Sequence, residues 1–177
     1  MLNKYLTNFP TLTTERLTLR QLAETDATEI FLLRSDLNIN QYLDRELSKT
    51  LEDALKFINQ INANIKNYQS FYWAISNSNN NKLLGTICLF SFSDELHKCE
   101  IGFELLADHQ GRGIMHEAAK KVIEFASQVI NIKKIEAATH KDNQSSIKLL
   151  KKLKFQRIES INSERDIFIK FCLNLPT

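Results

Sequence analysis

Residues 107–118 read ADHQGRGIMHEA, and the two glycines in that stretch are the first place where this chain offers chemistry. Only four glycines occur in 177 residues, Gly85, Gly102, Gly111 and Gly113, where an average usage of ~7% would scatter roughly a dozen. Apolar alternation precedes the pair and a long period-3.6 pattern follows it, so Gly111 and Gly113 occupy a strand-to-helix turn. Such a turn gathers several backbone N–H groups at the positive end of a helix, which suits an anion. Glycine there permits positive φ and lets a bulky phosphate approach the main chain without meeting a Cβ. The loop is either a phosphate or pyrophosphate cradle or a tight turn that needs two glycines for its own shape. Two other phosphate loops fail on the letters. A Walker A loop ends in Gly-Lys-Ser/Thr, which GRGIMHE lacks, and a G-x-G-x-x-G fingerprint would put its third glycine at His116.

The elements that must position this loop follow from periodicity. RLTLRQL (16–22) alternates as a first strand, and ETDATEIFLLRSD follows as a helix with Thr25 or Asp26 as N-cap. TLEDALKFINQINANIK (50–66) predicts a second helix, with Thr50 and Asp53 as a capping box and a core stripe from Leu51 to Ile65. SFYWAIS (70–76), KLLGTICLFSF (82–92) and HKCEIGFELL (97–106) read as an antiparallel meander. In the last of these, Cys99, Ile101, Phe103 and Leu105 share one face, and Glu100, Gly102, Glu104 and Leu106 the other, unless a bulge intervenes. Gly102 is expected to leave space beside Glu104. After the glycine loop, Met115, Ala118, Ala119, Val122, Phe125, Ala126 and Val129 share a helical face. KKIEAATH (133–140) is a strand, NQSSIKLLKKL (143–153) a short helix, and FQRIESI with RDIFIKFCL a closing hairpin. The result is an α+β architecture in one domain, residues 1–177, with a mixed, mostly antiparallel sheet of six to seven strands flanked by about four helices.

The bulk numbers exclude several classes. At 43% apolar and 25% charged, the chain is neither disordered nor fibrous. No apolar run approaches the ~20 residues needed to cross a bilayer, and the N-terminus lacks a signal-peptide pattern, so the expected address is cytoplasmic. A net charge of +2 gives no argument for nucleic-acid or membrane partners. Cys88, Cys99 and Cys172 are odd in number and set in apolar segments, as reduced core thiols would be, and no His or Cys pair has metal-ligand spacing. The basic run from Lys148 to Arg157 is the solvated face of a helix, or else some of its lysines meet a ligand phosphate. His97, His109, His116 and His140 fall at turns, strand ends or helix surfaces, and none is expected to be a catalytic base. Tyr42, Trp73, Phe90 and Phe92 either line an acceptor pocket or fill the core.

Gln110, Gly111, Arg112, Gly113, Ile114 and Met115, between an apolar strand and a long amphipathic helix, resemble the acetyl-CoA pyrophosphate loop of the GNAT superfamily of N-acetyltransferases, Q/R-x-x-G-x-G/A. The resemblance spans nearly the whole chain. TERLTLRQL with TDATEIF, NINQYL, FYWAI, LLGTICL, EIGFELL and IEAATHKDNQSSIKLLKKLKF are similar, in order, to landmarks of the RimJ/RimL subgroup of ribosomal-protein N-terminal acetyltransferases. One departure is Lys154, where that pattern has glycine in Leu-Gly-Phe. Lys154 must then use another turn or carry strain.

The resemblance implies a GNAT fold and an acetyl-CoA-dependent N-acetyltransferase without metal. Its acceptor would be a protein or peptide N-terminal α-amine, or alternatively a small amine such as a polyamine, amino sugar or antibiotic. A non-catalytic CoA-binding module is the reading from another class. The pantetheine arm would lie between the splayed strands ending at 106 and 140, along Phe103, Leu105 and Leu106, with the pyrophosphate on the amides of 111–115. Asn143 would bond the pantetheine arm, cap the next helix, or both. Glu104 would receive the amine proton, or else be a surface glutamate. The amine would attack directly, with the oxyanion held by a main-chain N–H near Leu105 or Leu106. Many family members place a tyrosine where Leu150 stands here. The subgroup points instead to Ser146, which would orient the sulfur or a water, or else be an ordinary first-turn serine. Acceptor choice would fall to SDLNINQYLDRE and to the loop near 160–165. Homodimers occur in the subgroup.

Overall fold

A computed structural model describes residues 8–95, 97–158 and 167–176. The chain opens with two short strands, β1 (Leu12–Thr13) and β2 (Leu17–Arg20), and then helices α1 (Ala27–Ser35), α2 (Leu37–Asn40) and α3 (Leu51–Lys66). The meander β3 (Phe71–Asn77), β4 (Leu83–Ser93) and β5 (Lys98–Leu105) leads into α4 (Ile114–Gln128). It closes with β6 (Lys134–His140), α5 (Gln144–Lys152), β7 (Gln156–Ile158) and β8 (Phe168–Asn174). The strands form one sheet in the order β1-β2-β3-β4-β5-β6-β8-β7. Its one parallel neighbour pair among the described residues is β5 with β6. This is the expected mixed, mostly antiparallel α+β sheet, with eight strands and five α-helices among the described residues. The extra strand is β1, two residues folding back on Leu19 and Thr18, and the extra helix is the single turn α2.

Two apolar clusters cover the two faces of the sheet. One joins Phe71, Trp73, Ile87, Leu89 and Ile101 to the inner face of α4 and to Leu150 and Phe155. In it the rings of Phe71 and Trp73 stack at 5.5 Å and both meet Phe125 edge-on. Each such buried aromatic removes about 150–250 Å² from water and anchors the helix to the sheet. The other cluster sets Ile30, Leu33, Ala54 and Ile58 from α1 and α3 against Tyr72 and Ala74. The faces of β5 divide as alternation requires: Phe103 and Leu105 pack on the first cluster, Leu106 on the second. The β4–β5 register runs without interruption from Gly85↔Leu105 to Phe90↔Glu100, and its irregularity lies beyond, at Phe90–Ser93.

Several local expectations change. Asp26 precedes α1 but does not cap it. Its carboxylate accepts instead from both Arg20 Nη atoms at 2.7 Å and from the Ala23 amide at 2.9 Å. Thr50 and Asp53 do form the capping box of α3. Val129 is 44% exposed because α4 ends at Gln128, and Ile130 turns inward in its place. Trp73 is core, its indole N–H donating to the Pro10 carbonyl at 2.8 Å. Gly102 does not open a space: a Cβ there would lie 3.2 Å from Cys88 Sγ and 3.4 Å from the Phe90 ring. The glycine that permits a close approach is Gly85, whose Cβ would fall 2.3 Å from the Glu104 carbonyl oxygen.

Candidate active site

The glycine loop has the conformation its composition requires. Gly111 and Gly113 take φ of +73° and +75°, the left-handed region that costs an L-residue about 1–2 kcal/mol. Gly113 is the N-cap of α4, and no side chain caps the first turn there. The orphan amides at its positive end therefore remain open to a ligand. A Cβ on Gly111 would meet nothing within 4 Å, so the loop's own packing does not require a bare Cα. The loop is tied from behind by the turn between β1 and β2. Arg16 Nε donates to Glu117 Oε2 at 2.7 Å, Thr14 Oγ1 to Glu117 Oε1 at 2.5 Å, and Arg16 Nη1 to the Arg112 carbonyl at 3.4 Å. Burial alone would raise the Glu117 carboxyl, but the hydrogen bonds from Thr14 and Arg16 outweigh it and hold it below the usual carboxylate range.

From this loop a cleft of about 440 Å³ runs between β5 and α5. It exists because β5 and β6 pair only from Lys98↔Lys134 to Glu100↔Glu136, while both strands continue beyond. Even-numbered residues of β5 pair with β4, the Leu106 amide donating to the Leu84 carbonyl at 3.0 Å. Alternation then turns the main-chain groups of Phe103 and Leu105 toward the opening. The amide of Leu106 is thereby ruled out as an oxyanion donor, and that of Leu105 is left facing the gap. Gln110 Nε2 donates to the Leu105 carbonyl at 3.1 Å, closing the loop onto the strand. On the far wall Asn143 caps α5, its Oδ1 accepting from the Ser146 amide at 3.1 Å. This puts both side chains on the cleft.

Among the sequence-predicted site residues, Phe103, Glu104, Leu105, Gln110, Gly111, Gly113, Ile114, Met115, Asn143 and Ser146 line the cleft. Leu106 and Arg112 do not: Leu106 packs on the second core cluster and Arg112 lies outside the lining. Lys148, Lys152 and His116 line it too, so part of the basic run does face the ligand side. Burial, with Lys152 and Lys120 nearby, pulls the His116 imidazole below its ordinary value. Tyr42 lines the opposite end with Asn38, Ile39, Gln41 and Leu43, its ring stacked on His140 at 5.1 Å. The loop near 160–165 lies outside the described residues.

The sequence reading did not single out Arg45. Its guanidinium embraces the Glu104 carboxylate with both Nη atoms, Nη1 to Oε1 at 2.9 Å and Nη2 to Oε2, and its Nε donates to Asn40 Oδ1 at 2.7 Å. Asn40, buried, donates to the carbonyls of Leu33 and Asp36 at the end of α1. No periodicity marks Arg45 within SDLNINQYLDRE, the segment expected to bear on acceptor choice. Among the described residues that line the cleft, Glu104 is the one carboxylate. Cys88, beneath it, is pushed up to about 12, by burial first and the Glu104 charge second. Cys99 is pushed up to about 12 by burial, with Glu100 adding to the effect. Neither thiol supplies a thiolate at neutral pH. Among the described residues no three His, Cys, Asp or Glu side chains converge as metal ligands do.

Residues 16–156 match the model of the acetyltransferase (GNAT) domain. The chain is 30% identical over 149 residues to the N-acetyltransferase YoaA of Bacillus subtilis (strain 168), covering 84% of each protein. The fold superposes with a TM-score of 0.82 on RimL, a ribosomal L7/L12 alpha-N-protein acetyltransferase in complex with coenzyme A, at 15% identity over 94% of this chain and 98% of that one. The ribosomal-protein-S5-alanine acetyltransferase of Vibrio fischeri gives 0.74 at 21% identity, covering 93% and 96%.

Proposed function

Since the chain belongs to the GNAT family and is an acetyl-CoA-dependent N-acetyltransferase, we propose that it transfers acetyl directly to the α-amine of a protein or peptide N-terminus. The observation that carries this reading is the cleft lining: one carboxylate, Glu104, already neutralised by Arg45. Polyamines and multiply aminated sugars bear several cations, and the described wall offers them no row of acids. A peptide N-terminus brings a single amine on a neutral amide main chain, which the uncharged wall of Asn38, Ile39, Gln41 and Tyr42 suits.

Bound acetyl-CoA supplies the activated acetyl thioester. The amides after Gly113 and the exposed main chain of Phe103 and Leu105 hold it, with Asn143 on the opposite wall. Glu104 takes the amine proton as the N–C bond forms and the C–S bond breaks. The requirement on that base is modest, because an α-amine of pKa near ~8 is about a tenth unprotonated at pH 7, whereas a lysine near ~10.4 is free only in a few parts per ten thousand. Ser146, beside Asn143, orients the departing sulfur or a water; a hydroxyl is too weak an acid to do more. With Cys88 and Cys99 held as neutral thiols, no cysteine relay is invoked.

The test is mass spectrometry of the chain with acetyl-CoA and a mixture of peptides with free N-termini, N-blocked lysine peptides, polyamines and amino sugars. Acetylation at N-terminal α-amines is expected. Product only on lysine side chains, polyamines or amino sugars would overturn the acceptor class.

A further inference from the structure

Behind the acceptor end of the cleft, the side chains around Glu104 carry more positive than negative charge. Arg45 and Glu104 form a bidentate pair whose side chains are 20% and 15% exposed. A second guanidinium, Arg34, lies close enough for both of them to act on its ionisation, and it stacks 3.9 Å above the Phe57 ring. Its Nε is buried with no hydrogen-bond partner among the described residues. Burial, and then Arg45, pull the Arg34 guanidinium below its ordinary value, against the pull of Glu104. Asp36, two residues on, does not supply the missing anion, since its carboxylate accepts from the amides of Asn38 and Ile39. Tyr72, beneath Glu104, donates to Thr86 Oγ1 at 3.0 Å, and burial drives its phenol upward, so it stays neutral. Two cations therefore share one carboxylate.

An incoming ammonium meets that surplus. At Glu104 it must also compete with the guanidinium that already donates to both carboxylate oxygens. A group that gave Arg45 another anion would remove both obstacles together. Arg45 is built for the exchange: Asn40 holds its Nε, and of the five N–H donors of a guanidinium, those not committed to Glu104 and Asn40 have no protein partner among the described residues. Its planar fork fits a second carboxylate or a phosphate as well as the first.

We propose that the acceptor carries an anionic group, a carboxylate or phosphate, within a residue or so of its amine, and that Arg45 receives this group as Glu104 turns to the amine. The acceptor class then narrows to N-termini with an acidic or phosphorylated residue at the first or second position. The proposal rests on Glu104 as the carboxylate that faces the amine.

The experiment compares kcat/KM of the full chain, with saturating acetyl-CoA, on four peptides that differ only at the second residue: Asp, phosphoserine, Asn and Lys. A fifth sample holds spermidine. Asp and phosphoserine are expected to exceed Asn by about tenfold or more, the ratio set by one charge-assisted hydrogen bond, and Lys to fall below Asn. In Arg45→Gln the order should reverse, Lys overtaking Asp, which a merely structural loss would not produce. Arg45→Lys, which keeps the charge without the fork, should retain part of the acidic preference should the glutamine variant fold poorly. Equal rates on all four peptides would overturn the proposal and leave N-terminal acetylation standing. Transfer to spermidine alone would overturn both, as would no transfer to any acceptor while acetyl-CoA binds.

Discussion

Lys154 occupies a position that its side chain does not favour, and replacing it should stabilise the protein. Helix α5 ends with the Phe155 amide donating to the Leu150 carbonyl and the Lys154 amide to that of Lys151, both at 3.0 Å. This is the paired arrangement that requires a left-handed residue between them. Lys154 supplies it with φ of +70°, and burial of Leu150 and Phe155 in one cluster holds the turn closed. Left-handed backbone costs an L-residue about 1–2 kcal/mol, and the greater freedom of unfolded glycine offsets about 0.5–1 kcal/mol of the relief. Lys154→Gly should therefore gain about 0.8 kcal/mol, the centre of a range of about 0–1.5 kcal/mol. For a chain of this size that raises Tm by about 1–4 °C. Urea and thermal unfolding would read it, with an unchanged m-value. Lys154→Ala keeps the Cβ and should gain nothing. Because Lys154 is exposed and lies outside the cleft lining, acetyl-CoA affinity should not move. Equal stability of the wild type and the glycine variant, or an equal gain in the alanine variant, would refute the strain argument.

Three further outcomes are expected. Gly113→Val puts a β-branched residue at φ of +75°, a backbone conformation it does not adopt without strain, with its Cβ 3.8 Å from Arg16 Nη2, so the loop that presents the amides must change shape. The substitution should abolish acetyl-CoA binding, as read by calorimetry on a variant that circular dichroism shows to be folded; unchanged affinity would remove the cradle. Glu117 is held low in the folded chain, so its contribution is present above the unfolded carboxyl value of about 4.3 and is lost as pH falls through the folded one. Glu117→Gln should thus lose less stability than wild type in urea titrations from pH 6 to pH 3, and parallel curves would contradict the clamp. Glu104→Gln should lower turnover most at neutral pH and recover part of it toward pH 9.5, where the amine deprotonates by itself. A deficit constant across that range would make Glu104 a positioning residue rather than a base.

Local features were legible in the letters because their physics is local. The period of the 114–128 helix, the Thr50–Asp53 capping box and the two left-handed glycines each depend on residues within one turn of one another. The same holds for Asn143: a short polar side chain before an amphipathic run caps it, and capping set that residue and Ser146 on the cleft. The anomaly at Lys154 was visible as a departure from a pattern. Its resolution as a strained lysine needed the backbone, since two packed apolar residues on either side decide whether the turn closes. Long-range matters were not legible. Gly102 reads as space and is filled by Cys88 and Phe90 from the neighbouring strand, whereas Gly85, which drew no attention, is the residue that lets the end of β5 approach. Asp26 reads as a cap of the helix after it, but its buried carboxylate binds the Arg20 guanidinium and the Ala23 amide before it, because a bidentate guanidinium gives two charge-assisted hydrogen bonds. Arg45 carries no periodic signal at all, and only the fold of α1 and α2 over the sheet brings it to Glu104. The sequence by itself determined the cofactor loop and the helices and strands that bear it. Tertiary structure decided the charge at the acceptor end, because that charge is a sum over side chains that meet only when distant segments pack together.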